Sequence, residues 1–211
     1  MTDLKQLYES ILRGDVGAAR ETAQQALDGG VDAEVLVERY MTPAMDEVGR
    51  LYEKNEYFVP ELLISSRAMK AALSVVQSGL ASKGSRPTGA VVIGTVAGDL
   101  HDIGKNLVAA MLEGAGFAIH DLGVDVPAER FVSAVKEHRP DIVAISALLS
   151  TTMAGMKNVL QALEQAGLRK AVKVMIGGAP ITPEFASEIG ADGYSDNAAG
   201  AVREARKWVA G

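Results

Sequence analysis

Asp99 and His101, two positions apart in the run Gly98-Asp99-Leu100-His101-Asp102-Ile103-Gly104, are the residues whose types and spacing can do chemistry. An imidazole can offer one ring nitrogen to a metal while its other N–H donates to a carboxylate. That bond fixes the tautomer and raises the basicity of the ligating nitrogen. An isolated Asp-x-His is ordinarily a solvated pair, so the weight falls on where the run sits. It follows Ala90-Val91-Val92-Ile93, an aliphatic stretch bounded by Gly89 and Gly94 that reads as a buried parallel strand. It precedes Lys105-Asn106-Leu107-Val108-Ala109-Ala110-Met111-Leu112, which has helical spacing. His101 thus belongs to a strand-to-helix loop, the kind of loop that binds ligands at the carboxyl edge of an open α/β sheet.

Two further aliphatic strands end in small or polar residues. Ser146-Ala147-Leu148 follows Asp141-Ile142-Val143-Ala144-Ile145, and Gly177-Gly178 follows Val172-Lys173-Val174-Met175-Ile176. Such a row leaves a slot in which a flat, bulky group can lie against the backbone. Ser146 and Ser150 lack a nearby His or acidic partner, and no G-x-S-x-G elbow is present, so a hydrolase is not indicated. His120 ends a strand and His138 ends a helix beside Arg139-Pro140, where a cation suits the helix dipole; both read as structural or solvated.

The elements that must position these residues follow from periodicity. From residue 89 onward strands alternate with helices, as in a doubly wound sheet. Strands are expected near 90–94, 117–120, 141–146, 172–176 and 192–195, and helices near 103–114, 127–137, 152–166, 182–189 and 197–209. The fold class is therefore α/β, a flavodoxin-like (Rossmann-like) five-stranded parallel sheet. Residues 1–83 carry helical spacing only. Leu4, Leu7, Tyr8, Ile11 and Leu12 mark a first helix, and 16–27 a second. A third is capped by Asp32 and kinked by Pro43, and a fourth starts at Val59-Pro60. These make a four-helix bundle domain over 1–83, joined by a linker at 84–88 to a sheet domain over 89–211.

Composition bounds the rest. The chain has 211 residues, 48% of them hydrophobic, and a net charge of −6. No apolar run is long enough to span a bilayer and the start of the chain lacks a signal peptide's apolar segment, so a cytoplasmic protein without a membrane partner is expected. The absence of Cys excludes disulfides, thiolate metal sites and Cys nucleophiles within the chain. An acidic balance with 5% aromatics and no basic run argues against a nucleic-acid partner.

The pattern D-x-H-x-x-G, then S-x-L, then G-G, resembles the signature of the cobalamin-binding module found in methionine synthase, in base-off mutases and in the small corrinoid proteins of anaerobic methyltransferase systems. The resemblance covers nearly the whole chain. It implies that the cofactor's own lower base is displaced and that His101 ligates cobalt, with Asp99 as its hydrogen-bond partner and Thr152, where methionine synthase has Ser, as the third member of the relay. It further implies cobalamin contacts from Gly94, Thr95, Gly98, Leu100, Asp102, Ile103, Gly104, Ser146, Leu148, Ser150, Thr151, Gly177, Gly178, Asn197 and Ala198. In the same family a helical cap shields the upper face of the corrin. Its V-G-x-L-[FY] turn and F-[LV]-P helix start match Val48-Gly49-Arg50-Leu51-Tyr52 and Phe58-Val59-Pro60, which places Met45, Tyr52, Val59 and Leu62 toward the methyl group.

What the resemblance implies is a methyl carrier. Cobalt in its lowest oxidation state takes a methyl group from a donor held by a donor:corrinoid methyltransferase. The methylated form then gives it to a second methyltransferase acting on tetrahydrofolate or coenzyme M, and a reductive activator serves the corrinoid. Methanol, methylamines, betaine or aromatic methyl ethers, the last making it part of an O-demethylase, are the candidate donors. A mutase small subunit would leave the bundle without a purpose. A cobalamin-dependent regulator would need an output module, and a phospho-accepting signalling domain would need an Asp where Ser146 stands.

Overall fold

The computed structural model describes residues 4–82 and 87–209. Residues 84–86 of the expected linker lie outside them. Contacts divide the chain into two compact units, Met1–Pro87 with Glu113–Gly116, and Thr88–Leu112 with Phe117–Gly211.

The first unit begins with α1 (Leu4–Arg13) and α2 (Val16–Asp28). Gly14 ends α1 in the left-handed region at φ +72°, and a Cβ there would stand 2.4 Å from Ile64. Asp15 caps α2 by accepting from the Ala18 N–H at 3.0 Å. α3 (Ala33–Leu36), a π-helical turn (Val37–Met41) and α4 (Thr42–Glu53) follow without a break. The expected kink at Pro43 is therefore a widened turn just upstream of it. Proline has no N–H and its ring clashes with the carbonyl four residues back, here Arg39, and a wide turn relieves both. α5 (Val59–Ser82) starts with Glu61 reaching back to the Phe58 N–H at 2.9 Å. Leu7, Ile11, Leu36, Met41, Leu62 and Met69 fill the core, while the alanines at 19, 23 and 26 let α2 lie close to Ala68 and Ala72 of α5. At about 1.5–3 kcal/mol for each large side chain buried, this core outweighs the helices' own weak propensities. The carbonyl of Leu12, orphaned at the end of α1, accepts from the Tyr57 hydroxyl at 3.1 Å and from Ser65 at 2.9 Å.

The second unit runs β1 (Ala90–Thr95), α6 (Ile103–Gly114), β2 (Ala118–Asp121), α7 (Ala128–His138), β3 (Ile142–Ser146), α8 (Met153–Gln165), β4 (Lys173–Gly177), α9 (Pro183–Ile189), β5 (Gly193–Tyr194) and α10 (Ala198–Val209). All pairings are parallel and the strand order is β2-β1-β3-β4-β5. That is the flavodoxin-like order, with its topological switch point between β1 and β3. Thr95 stands opposite Ser146, and Ser146 opposite Gly177, so three strand ends finish level. Buried Val91, Val92 and Ile93, with Val143 and Ile145, make the runs of a sheet covered on both faces. β5 is shorter than expected: Trp208 packs where Gly193 would carry a side chain, with the virtual Cβ 2.7 Å from the ring.

Candidate functional site

The loops leaving β1 and β3 meet at the switch point, and Asp99 is where they meet. Residues 96–99 form a turn closed by the Asp99 N–H on the Val96 carbonyl at 3.2 Å, with Gly98 at φ +81° in the position that requires positive φ. The turn aims the Asp99 carboxylate inward, where it is 0% exposed. Its Oδ1 accepts from the His101 N–H at 3.1 Å and lies 2.7 Å from His101 Nδ1. Its Oδ2 accepts from the N–H groups of Leu148 at 2.7 Å and Leu149 at 3.3 Å, and lies 2.8 Å from Thr152 Oγ1. Burial pushes the Asp99 carboxyl up, but the donors on it, led by the Leu148 N–H and the His101 ring, more than reverse this and hold it well below the usual carboxylate range.

An ionised carboxylate can only accept, so His101 Nδ1 donates to it, and in the neutral ring Nε2 carries the lone pair. The His101 side chain is 50% exposed, which leaves that lone pair open to a ligand. The Thr152 hydroxyl also lies 2.8 Å from the Leu149 carbonyl oxygen, and its single proton serves one of its two acceptors at a time. Asp99, His101 and Thr152 therefore form one hydrogen-bonded line.

Four aliphatic side chains around this line face outward: Leu100 is 72% exposed and Ile103 75%, with Leu148 and Leu149 also exposed. Exposed leucine and isoleucine on the loops that carry Asp99 and its partners make a surface for a flat apolar group. No group of three or more His, Asp or Glu able to hold a metal ion occurs among the described residues. One imidazole is a poor site for a free ion, but it suits a metal whose other positions are already filled by a macrocycle. The residues present thus fit a corrinoid.

The remaining expected site residues divide. Thr95 is buried and donates to the His101 carbonyl at 2.9 Å, tying the strand end to the ligand loop. Asp102 precedes α6; its carbonyl accepts from the Asn106 N–H at 2.7 Å and its side chain from Asn106 Nδ2 at 3.0 Å. Gly104 faces open space. Gly94 makes room for Phe131, whose ring would stand 2.9 Å from a Cβ there. Gly177 and Gly178 let the loops beyond the sheet approach, with virtual Cβ atoms 3.1 Å from the Ser195 carbonyl oxygen and 1.8 Å from that of Ala147. Ser150 and Thr151 are exposed in the turn before α8. Asn197 caps α10 by accepting from the Gly200 N–H at 2.8 Å, and Ala198 is buried beneath it. Within the helical unit Met45 and Leu62 are buried, Tyr52 and Val59 half-buried and Phe58 exposed.

Sequence reasoning missed Leu149, Lys105, Asp121 and Asp125. Lys105 is only 3% exposed, and its Nζ donates to Asp121 at 2.6 and 2.8 Å and to Asn106 Oδ1 at 2.7 Å. A lysine drawn into the start of an apolar helix demands an acidic partner, and that demand was the available signal. Asp125 gave none, because a lone Asp in a Gly- and Pro-containing turn is commonplace.

Comparison with known proteins follows the same lines. A B12 binding domain family model matches residues 89–203, and a second, also described as a B12 binding domain, matches residues 3–77. Over 210 residues the chain is 37% identical to dimethylamine corrinoid protein 3 of Methanosarcina acetivorans, covering 98% of this chain and 99% of that one. It superposes with a TM-score of 0.81 on a cobalamin-binding protein from Desulfitobacterium hafniense DCB-2, at 33% identity and 99% coverage of both chains. For the methanol:cobalamin methyltransferase complex of Methanosarcina barkeri the TM-score is 0.86, with 31% identity over 99% of this chain and 80% of the other.

Proposed function

The chain belongs to the B12 binding domain family, and on that premise we propose that it is a corrinoid protein whose bound cobalamin accepts a methyl group at one partner enzyme and surrenders it at another. Cobalamin is its cofactor. The observation that carries the proposal is the imidazole bonded through Nδ1 to Asp99 and half-exposed, set among exposed aliphatic side chains with no group of three or more His, Asp or Glu able to hold a free metal ion among the described residues. That is what an axial ligand to a metal already enclosed by a ring needs.

When bound, the corrinoid would supply a cobalt nucleophile that takes up a methyl group and is itself the leaving group, back in its lowest oxidation state, when that methyl passes to an acceptor. The chain's own residues do the rest. His101 Nε2 would hold the cobalt in place of the cofactor's own base. Asp99 keeps the ring oriented and accepts its Nδ1 proton, raising the donor strength of Nε2. Thr152 adjusts that donor strength by turning its hydroxyl between Asp99 and the Leu149 carbonyl. The exposed Leu100, Ile103, Leu148 and Leu149 would offer the corrin an apolar surface and keep water from it.

The donor enzyme is a methyltransferase for a methylated amine or alcohol, the chemical classes named in the relatives, and donor choice resides in that enzyme. A second methyltransferase passes the group to tetrahydrofolate or coenzyme M, and a reductive activator rescues oxidised cobalt. Exclusively O-methyl substrates, as in an O-demethylase, are the narrower form of the same reading. A donor-independent test loads the chain with cobalamin, reduces it, methylates it with methyl iodide and offers it to tetrahydrofolate- and coenzyme M-specific methyltransferases. The expected result is methyl appearing on one acceptor; a methyl group that stays on the protein with both would contradict the carrier reading.

A further inference from the structure

The loop that leaves β2, residues 121–127, takes no part in the proposed ligation, yet its two acidic residues grip the segment that carries His101 from both ends. At one end Asp125 Oδ1 accepts from the Gly98 N–H at 2.7 Å, while the Asp125 N–H donates to the Asp99 carbonyl at 3.0 Å. The peptide groups just before the ligand are thereby held by one residue in a reciprocal pair. Asp125 reaches them from the left-handed conformation, at φ +54°. At the other end Asp121 receives Lys105 Nζ on both carboxylate oxygens, and its Oδ1 also accepts from the Gly123 N–H at 2.8 Å. Lys105 lies in the first turn of α6, four residues after His101, and Asn106 links it to Asp102. The loop is itself anchored to β1, by the Thr95 N–H on the Gly123 carbonyl at 3.0 Å and the Val126 N–H on the Thr95 carbonyl at 2.9 Å.

We propose that Asp125 and the Lys105–Asp121 pair are positioning residues, a brace that fixes the height and tilt of the His101 imidazole relative to the sheet edge and so sets how completely it ligates cobalt. The Asp99 carboxylate fixes the ring's rotation and ties its turn to residues 148–152, and Thr95 holds the His101 carbonyl. The β2 loop adds the hydrogen bonds that flank His101 on both sides, at Gly98 and Asp99 before it and at Lys105 after it. A buried ammonium such as that of Lys105 is retained only where it is paired, so the pairing also locks the start of α6 in register with β2. The inference rests on the reading of His101 as the axial ligand.

The test uses the full chain reconstituted with cobalamin and reduced to cobalt(II), whose electron paramagnetic resonance signal is split by an axial nitrogen. Histidine labelled with 15N identifies that nitrogen as the protein's. Asp125→Gly removes the acceptor while tolerating the left-handed backbone, and Asp125→Asn keeps both the acceptor and the conformation. Asp125→Gly and Lys105→Met are expected to lower the ratio of histidine-bound to unbound cobalt by about tenfold, the equivalent of one hydrogen bond to a charged group, while Asp125→Asn stays at the wild-type ratio. The cobalt(II)/cobalt(I) midpoint of the two impaired variants should move toward that of His101→Ala. Wild-type ratios and potentials in Asp125→Gly and Lys105→Met would overturn the brace, even if both variants unfold at lower temperature. A wild-type protein without histidine splitting would overturn the ligand reading and the brace with it. Should Lys105→Met fail to fold, the exposed Asp125 pair of variants decides.

Discussion

At the scale of single residues the site is an anion solvated by protein in place of water. Asp99 is fully buried and surrounded by donors from its own turn and from residues 148–152. Asp99→Ala would strand those donors, and urea unfolding of the variant should show a loss of about 3 kcal/mol, in the range for breaking a buried charged network. Because the folded carboxyl titrates below its unfolded value, its contribution is complete above about pH 4 and is lost as the pH falls further. Acid unfolding of Asp99→Asn should therefore lack part of the wild-type decline below that pH. His101→Ala, by contrast, removes a half-exposed ring, and its unfolding free energy should stay within about 1 kcal/mol of wild type. Asp99 and His101 could be read in the sequence because they are two residues apart and chemically paired. Thr152 and Leu148 were reachable only through the resemblance, since nothing local joins them to Asp99. Asp125 was illegible, because its task is performed through backbone groups that carry no sequence signal.

At the scale of elements, strand ends and close-packed glycines decide what the loops can do. The five strands and five helices of the second unit were legible because parallel strands buried on both faces read as unbroken aliphatic runs. Less legible was the passage from α3 through the π-helical turn into α4, since Pro43 announces a disturbance without specifying that the turn before it widens. Gly178 at φ +140° leaves no room beside the Ala147 carbonyl, so Gly178→Ala should lower stability by about 2–4 kcal/mol, measured by denaturant unfolding. His120 of β2 and His138 of α7 were read as structural or solvated, and their rings stack at 3.9 Å and 10°. Burial, and then the charge of His138, hold His120 below the usual imidazole range. A histidine depressed in this way binds fewer protons folded than unfolded, so stability is present above the unfolded value near about 6.5 and declines as the pH falls through it. Thermal unfolding of the cofactor-free chain should shift downward between about pH 7.5 and about pH 5.5, and His120→Phe, which keeps a flat ring without a titrating nitrogen, should lose most of that shift.

At the scale of the molecule, a helical unit and a sheet unit of one chain both match B12 binding domains, and no described helix is long and apolar enough to cross a membrane. The proposed carrier role needs a loop that holds one geometry while partners exchange around it, and the loops leaving β1 and β3 are tied to each other through Asp99. The central claim is that His101 replaces the cofactor's own base beneath cobalt. Its most direct measurement is the nitrogen splitting of the cobalt(II) signal in protein made with 15N-histidine and loaded with unlabelled cobalamin. The account predicts that the triplet from 14N becomes a doublet on labelling and that no nitrogen splitting from the protein remains in His101→Ala. A triplet unchanged by labelling would mean that the cofactor's own base is still bound, and would contradict it.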